Sequence, residues 1–397
     1  MLDHLPQLQP DPILGLSAAY QNDTNPKKVD LGVGVYKTEA GDTPVLQCVA
    51  EAEAQLLQTQ TSKSYTPPAG ITGANRAAAE LAFGREHQAL TDKRVGTVQT
   101  PGGCGALRLA AELIAHANPD ATIWVSTPTW ANHVPLLTSA GLRLKEYPYY
   151  NFAEHRIDFD AMMETLQQAG ENDLVLLHAC CHNPSGADLS QSQWQAVAEL
   201  ASKQGFTPFI DMAYQGFGQG IDQDAYGVRL LADTLPELVL ATSFSKNLGL
   251  YRERAGSLSV VSANATQAQA VLSQTLSIAR GLYSMPPSHG ASIVDLVYHT
   301  PELRSQWKSE LTGMRERIAG LREQLVGELN ARQDKQRFDF IAREAGMFSF
   351  LGLSVAQVTR LKNEFSVYMT DNSRINVAGV NAHNLAYLAD AIVKVLD

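Results

Sequence analysis

One lysine stands among small hydroxyl residues directly after an apolar run: Leu238-Val239-Leu240-Ala241 leads into Thr242-Ser243-Phe244-Ser245-Lys246-Asn247. The run reads as a buried strand, which puts Lys246 where strand gives way to loop. In open α/β sheets the ligand crevice lies at the carboxyl ends of the strands. A lysine that loses its proton there becomes a nucleophilic amine whose natural partner is a carbonyl. A loop lysine in solvent fits the same stretch. Two more apolar runs end in polar groups, Phe209-Ile210-Asp211-Met212-Ala213-Tyr214 and Cys181-His182-Asn183-Pro184-Ser185-Gly186. Asp211 alone could be a helix or turn cap, but three strand ends now carry polar groups where the crevice of such a sheet would lie.

These motifs, in this order, resemble those of the class I, fold-type-I aminotransferases in the aspartate/aromatic branch. Matching segments run from Asp11-Pro12-Ile13-Leu14 to Arg374-Ile375-Asn376-Val377-Ala378-Gly379, nearly the whole chain. The resemblance implies a catalytic set of Lys246, Asp211, Tyr214 and Trp130. Lys246 would hold pyridoxal 5′-phosphate covalently and, once released, act as the base. That cofactor withdraws electrons only with its ring nitrogen protonated, the task of Asp211. Asn183 and Tyr214 would bond the phenolic oxygen and Trp130 would stack on the ring. His133 and His178 would stand behind Asp211. Gly103, Cys104, Ser243, Ser245 and Arg254 would meet the phosphate, with Tyr65 reaching it from the neighbouring subunit of a homodimer. A planar guanidinium suits phosphate better than an ammonium does.

Arg374 matches the residue that grips the substrate α-carboxylate, and Arg280 the one that crosses the interface to a side-chain carboxylate. Gly34, Phe348, Trp130 and Asn183 complete the implied substrate set. Each residue also has an ordinary reading: Arg254 as a salt bridge to Glu253, Trp130 as core, Tyr65 as a surface ring, the histidines as structural.

The elements that must position these groups alternate along the chain. Thr97-Val98-Gln99-Thr100 runs into Pro101-Gly102-Gly103-Cys104-Gly105 and an amphipathic stretch, a strand, glycine turn and helix start whose free N–H groups suit a phosphate. Strands around Thr122–Val125, Leu174–His178, Phe206–Asp211, Leu238–Thr242 and Ser257–Val261 are separated by helix-length spacers. This predicts an α/β fold with a mainly parallel, doubly wound sheet, of the seven-stranded type by the resemblance. Leu303–Asn330 reads as one long helix. A smaller α+β domain follows, with strands at Gly346–Phe350 and Arg374–Val377 and helices at Ser354–Glu364 and Ala382–Leu396. The implied domains are an arm over 1–12 on the partner subunit, a small domain of 13–43 plus 314–397, and a large cofactor domain over 44–313. Residues 1–14 hold three prolines and predict an extended segment. Val29–Tyr36 predicts a short strand.

Gly32-Val33-Gly34 invites a dinucleotide reading, but no GxGxxG follows, and no GxxxxGK[ST] occurs. His178-Ala179-Cys180-Cys181-His182 is no metal motif, because neighbouring side chains on a strand point to opposite faces. At 397 residues with 45% hydrophobic and 18% charged, the chain can bury a large interior in two domains. A formal charge of −10 disfavours nucleic acid or an anionic membrane as partner. Four cysteines, two of them adjacent, suit reduced thiols. With no basic start plus apolar run and no stretch near ~18 apolar residues, a cytoplasmic protein is expected.

Three positions depart from the aspartate-specific pattern. Cys104 stands where threonine is usual, and Ser64 and Met285 where asparagine is, whereas Val35, Lys37 and Thr43 are aspartate-like. The mixture predicts a dual or aromatic-leaning enzyme (tyrosine, phenylalanine, tryptophan, and/or aspartate) with 2-oxoglutarate as acceptor. A strictly aspartate enzyme is the alternative, and β-lyase or decarboxylase chemistry is compatible with the same cofactor.

Overall fold

In the computed structural model, which describes residues 2–7, 12–333 and 336–396, the apolar runs become strands β1 (Val95–Pro101), β2 (Thr122–Thr127), β3 (Arg143–Pro148), β4 (Asp173–His178), β5 (Thr207–Met212), β6 (Leu238–Ser243) and β7 (Ala255–Val261). They form one sheet in the order β1-β7-β6-β5-β4-β2-β3. Strands β2 to β6 pair in parallel, and β7 runs antiparallel between β6 and β1. Every residue of β6 and β7 is buried, which is why these strands read as continuous rather than alternating patterns. The expected doubly wound class with a smaller α+β part holds.

Four helices matter below: α1 (Thr72–Phe83), α2 (Gly102–Ala117), α3 (Ser288–His299) and α4 (Pro301–Asn330). Helix α2 starts on the residue after β1 and lays Ala106, Leu109, Ala110 and Leu113 into the core that contains Val98, Ile123 and Leu258. Each such leucine contributes about 1.5–3 kcal/mol by burial.

Contacts divide the chain into two units. One comprises 44–317 and 344–346 and holds the large sheet; the other comprises 1–43, 318–343 and 347–397. In the second, Val29–Asp30 pairs in parallel with Val367–Tyr368, and Phe348–Phe350 pairs antiparallel with Arg374–Asn376. Its helix Val355–Phe365 starts on a reciprocal cap between Ser354 and Gln357.

Two expectations change. Pro12–Asn22 is helical and Leu2–His4 is a 3-10 turn, so residues 1–14 are not uniformly extended; the remainder of the arm, residues 1 and 8–11, lies outside the described residues. Proline is tolerated at the first helical position, where its missing N–H is not needed. The strand expected over Val29–Tyr36 shrinks to Val29–Asp30. Beyond it, Asn376 Nδ2 donates to the carbonyls of Val33 (2.6 Å) and Val35 (2.7 Å), so a side chain replaces the ladder. Among the described residues no helix is long and apolar enough to cross a membrane, and all four cysteines are free.

Candidate active site

Lys246 lies three residues past the end of β6, in a loop tied down on both sides. Ser243 Oγ accepts from the Ser245 amide at 3.2 Å. Trp307 Nε1 donates to the Asn247 carbonyl at 2.7 Å, and Asn247 Nδ2 donates to the Gln215 carbonyl at 3.3 Å. The Lys246 amine stands 5.1 Å from the Tyr214 ring centroid. Burial disfavours its charged form and Arg254 adds to the effect, so its pKa falls below the ordinary lysine value although Asp211 opposes.

Asp211 is the penultimate residue of β5, and the parallel register sets it opposite His178 on β4 and Ala241 on β6. His133 Nε2 lies 3.1 Å from Asp211 Oδ2. Thr129 Oγ1 links the two histidines, 2.8 Å from His133 Nδ1 and 3.4 Å from His178 Nε2. Burial pushes the Asp211 carboxyl up, but the His133 bond and charge, with His178 and Lys246, hold it below its usual range. It is therefore a carboxylate in a buried place. Burial and His133 hold the His178 pKa at about 3, leaving it neutral. His182 is neutral for the same reason, its ring 4.2 Å from that of His178 and stacked at 4.1 Å on Tyr149.

Asn183 follows a compact turn in which the amides of Cys181 and His182 donate to Asp188 at 2.7 and 2.8 Å. Its side chain is buried, and its Oδ1 has no hydrogen-bond partner among the described residues. A buried amide oxygen left this way costs about 1–3 kcal/mol unless a bound group answers it. Trp130 packs partly into the core with its ring edge-on to His133, centroids 5.3 Å apart.

A cradle for an anion forms where β1 meets α2. Among the described residues no side chain caps the helix start at Pro101. Gly102 has φ 71°, and a Cβ there would lie 2.4 Å from Arg254 Nη2. A Cβ on Gly103 would come within 3.0 Å of the Ser243 Cβ. Arg254 Nη1 donates to Ser245 Oγ at 3.3 Å and to the Tyr251 carbonyl at 3.0 Å. It makes no ion pair among the described residues; Glu253 pairs with His289 instead, at 2.8 Å. Asn132 Nδ2 donates to Cys104 Sγ at 3.4 Å. Gly103, Cys104, Ser243, Ser245 and Arg254 thus gather around free helix amides and a cation without a counter-ion. A phosphorylated pyridine fits this donor set: an anion cradle, a buried carboxylate for the ring nitrogen, an unanswered amide, and an amine with a lowered pKa.

Tyr65 is 90% exposed on the single chain. Arg280 is exposed as well and donates to Ser284 Oγ at 3.3 Å. In the other unit, Arg374 Nη2 donates to the Gly32 carbonyl at 2.8 Å and its guanidinium lies 4.4 Å over the Phe348 ring. A Cβ on Gly34 would meet Phe348 Cζ at 2.8 Å, so Arg374, Phe348 and Gly34 belong to one cluster. Among the described residues no group of three or more His, Cys, Asp or Glu could hold a metal ion.

Sequence reasoning missed Thr129, His182, Asn247 and Gly102. Each adjoins a named residue in the chain, but only the folded register reveals what it touches.

The profile described as Aminotransferase class I and II matches residues 26–392. The chain is 46% identical over its full length to all of an aspartate aminotransferase of Haemophilus influenzae. It is also 46% identical, over 97% of this chain and 96% of the relative, to an aromatic-amino-acid aminotransferase of Pseudomonas aeruginosa. The aromatic-amino-acid aminotransferase of Burkholderia pseudomallei, solved covalently bound to pyridoxal phosphate, superposes over 100% of both chains with a TM-score of 0.98 at 41% identity. With the profile spanning most of the chain and relatives aligned end to end, this protein belongs to the class I and II aminotransferases, in their aspartate/aromatic branch.

Proposed function

We propose that the enzyme transfers the amino group of an aromatic L-amino acid and/or aspartate to 2-oxoglutarate, with pyridoxal 5′-phosphate held on Lys246. The observation that carries this reading is the Lys246 amine, lowered in pKa by burial and Arg254, in the loop that also lends Ser245 to the anion cradle.

When bound, pyridoxal 5′-phosphate supplies an electron-withdrawing ring that delocalises charge from the substrate α-carbon. Asp211, ionised and steadied by His133, holds a proton at the pyridine nitrogen. Lys246 Nζ, released and neutral, takes the α-proton. Asn183 and Tyr214 donate to the ring oxygen, and Trp130 covers the ring. The Gly103 and Cys104 amides, the Ser243 and Ser245 hydroxyls and Arg254 hold the phosphate. His133 and His178 keep Asp211 in place. Arg374 pairs with the substrate α-carboxylate, beside Gly34 and Phe348.

The assembly we propose is a cytoplasmic homodimer, in which Tyr65 and Arg280 act on the neighbouring subunit's phosphate and side-chain carboxylate. The arm 1–12 packs on that neighbour, 13–43 with 314–397 forms the small domain, and 44–313 binds the cofactor. Met285, in place of asparagine, leaves an apolar rim and favours dual use of aromatic and acidic substrates.

Borohydride reduction of the purified enzyme followed by peptide mass mapping tests the covalent assignment. A pyridoxyl adduct is expected on the peptide containing Lys246 and absent in Lys246→Ala; an adduct on another residue refutes the assignment. Comparing kcat/KM for phenylalanine, tyrosine and aspartate with 2-oxoglutarate tests the preference. Negligible turnover of the aromatic pair would leave the strictly aspartate reading.

A further inference from the structure

An open pocket of about 600 Å³ shares no lining residue with the site described above; it is lined by Arg85, Tyr298, His299, Pro301, Arg304, Ser305 and Lys308. Three elements meet there: the segment after α1, the end of α3 and the first turns of α4. No lining residue is acidic. Arg304 is stacked 4.2 Å over the Tyr298 ring and donates from Nη2 to the Tyr298 hydroxyl at 3.2 Å. Its Nε is buried without a hydrogen-bond partner among the described residues. Neither Arg304 nor Lys308 is ion-paired among the described residues. Arg85 does have a carboxylate, Glu80 at 3.1 Å. That carboxylate is shared, because it also lies 3.8 Å from Arg76 and accepts from the Tyr298 hydroxyl at 3.1 Å. The nearby acid Asp295 is engaged by His299 at 2.7 Å. The α4 N-terminus adds its positive dipole end. On a chain of net charge −10 this is a local excess of cation.

We infer that this cavity binds a small phosphoryl-bearing polyanion. Arginine and lysine side chains approaching from different elements suit a tetrahedral phosphoryl, whose oxygens diverge, better than a planar carboxylate, which one guanidinium satisfies. The volume is in the range of small-molecule sites, about 300–1,000 Å³. The stacked Arg304 is pre-oriented, so little ordering is left to binding.

Calorimetric titration of inorganic pyrophosphate into the cofactor-loaded enzyme at low salt tests this, since the loaded cofactor keeps the α2 cradle filled. One saturable site per chain is expected, weakened about tenfold or more by Arg304→Gln and by Lys308→Gln, and weakened by added salt. Lys308 is exposed and makes no hydrogen bond or ion pair among the described residues, so its substitution leaves the fold intact even where that of Arg304 does not. Malonate, a dicarboxylate, also suits the proposed substrate arginines, so only the part of its binding lost in Lys308→Gln is read, and that part is expected to be at least about tenfold weaker than pyrophosphate binding. The wild type failing to saturate, or the Lys308 variant binding as tightly as the wild type, overturns the site. Lys308-dependent binding of malonate as tight as that of pyrophosphate overturns its phosphoryl character.

Discussion

Among single residues, the arrangement turns on opposite answers to burial. Burial makes Lys246 give up its proton more readily, while Asp211 keeps its charge because His133 answers it at 3.1 Å. Asp211→Asn tests the task proposed for Asp211 at the ring nitrogen by removing the ionised group. A fall in kcat of roughly a hundredfold or more is expected, with pyridoxal still attached to Lys246 by mass mapping; near-normal turnover would deny Asp211 this task. His178 gives a pH prediction. Burial and His133 hold its folded pKa at about 3 against an ordinary 6.5. Between those values the unfolded chain binds a proton that the folded one does not, so stability falls as the pH drops through this window. The slope is at most about 1.4 kcal/mol per pH unit. His178→Gln cannot titrate, and its urea midpoint is expected to decline less than that of the wild type between pH 6.5 and 4.5. Identical declines would place the proton elsewhere.

At the scale of elements, the cradle depends on how closely β1, β7 and the start of α2 approach. Gly102 and Gly256 are both needed, for different reasons. At Gly102, with φ 71°, an added Cβ would meet the movable end of Arg254 at 2.4 Å. Gly102→Ala is therefore expected to cost about 1–2 kcal/mol of stability through its backbone and to raise the cofactor Kd about tenfold or more by displacing the guanidinium. Arg254→Lys should reproduce the affinity loss without the stability cost; wild-type cofactor affinity in both variants would sever Arg254 from the phosphate. At Gly256 the obstacles are backbone atoms of Gly102 and Thr242, at 2.5 and 2.7 Å. Nothing there can yield, and the sheet itself would be disturbed. The strand carrying Asp211 and the one leading to Lys246 were legible in the sequence because strands buried on both faces read as unbroken apolar runs. The Thr129, His133 and His178 chain was not, since it depends on which strands neighbour each other. Alanine-rich α1, whose sequence Thr-Gly-Ala-Asn-Arg-Ala-Ala-Ala-Glu-Leu-Ala-Phe has no sharp polar face, offered no clean period either. Val29–Tyr36 misled because its alternating apolar residues belong to a segment whose carbonyls are claimed by Asn376.

For the whole molecule, the sequence carries residues that the single chain leaves without an evident task. Tyr65 is 90% exposed with Leu57 at 87% nearby in sequence, and exposed Arg280 is followed by Leu282 at 40%. Large exposed side chains flanking two proposed ligand-binding residues are what an interface with a second copy would use. In a homodimer with Arg280 acting across the interface, each site draws its lysine from one chain and this arginine from the other. Lys246→Ala and Arg280→Ala homodimers are then each defective toward a dicarboxylic substrate, for unrelated reasons. Mixing the two variants under dissociating conditions and reassembling them makes hybrids in which one site takes Lys246 from one chain and Arg280 from the other, both intact. Random pairing gives about half hybrids with one good site each, so aspartate turnover should recover to about a quarter of the wild type. Were Arg280 to serve its own chain's site, every hybrid site would lack one of the two groups and no recovery would follow. The phenylalanine reaction supplies the internal comparison. A side chain without a carboxylate has no use for Arg280, so the Arg280→Ala homodimer should retain most of that activity before any mixing.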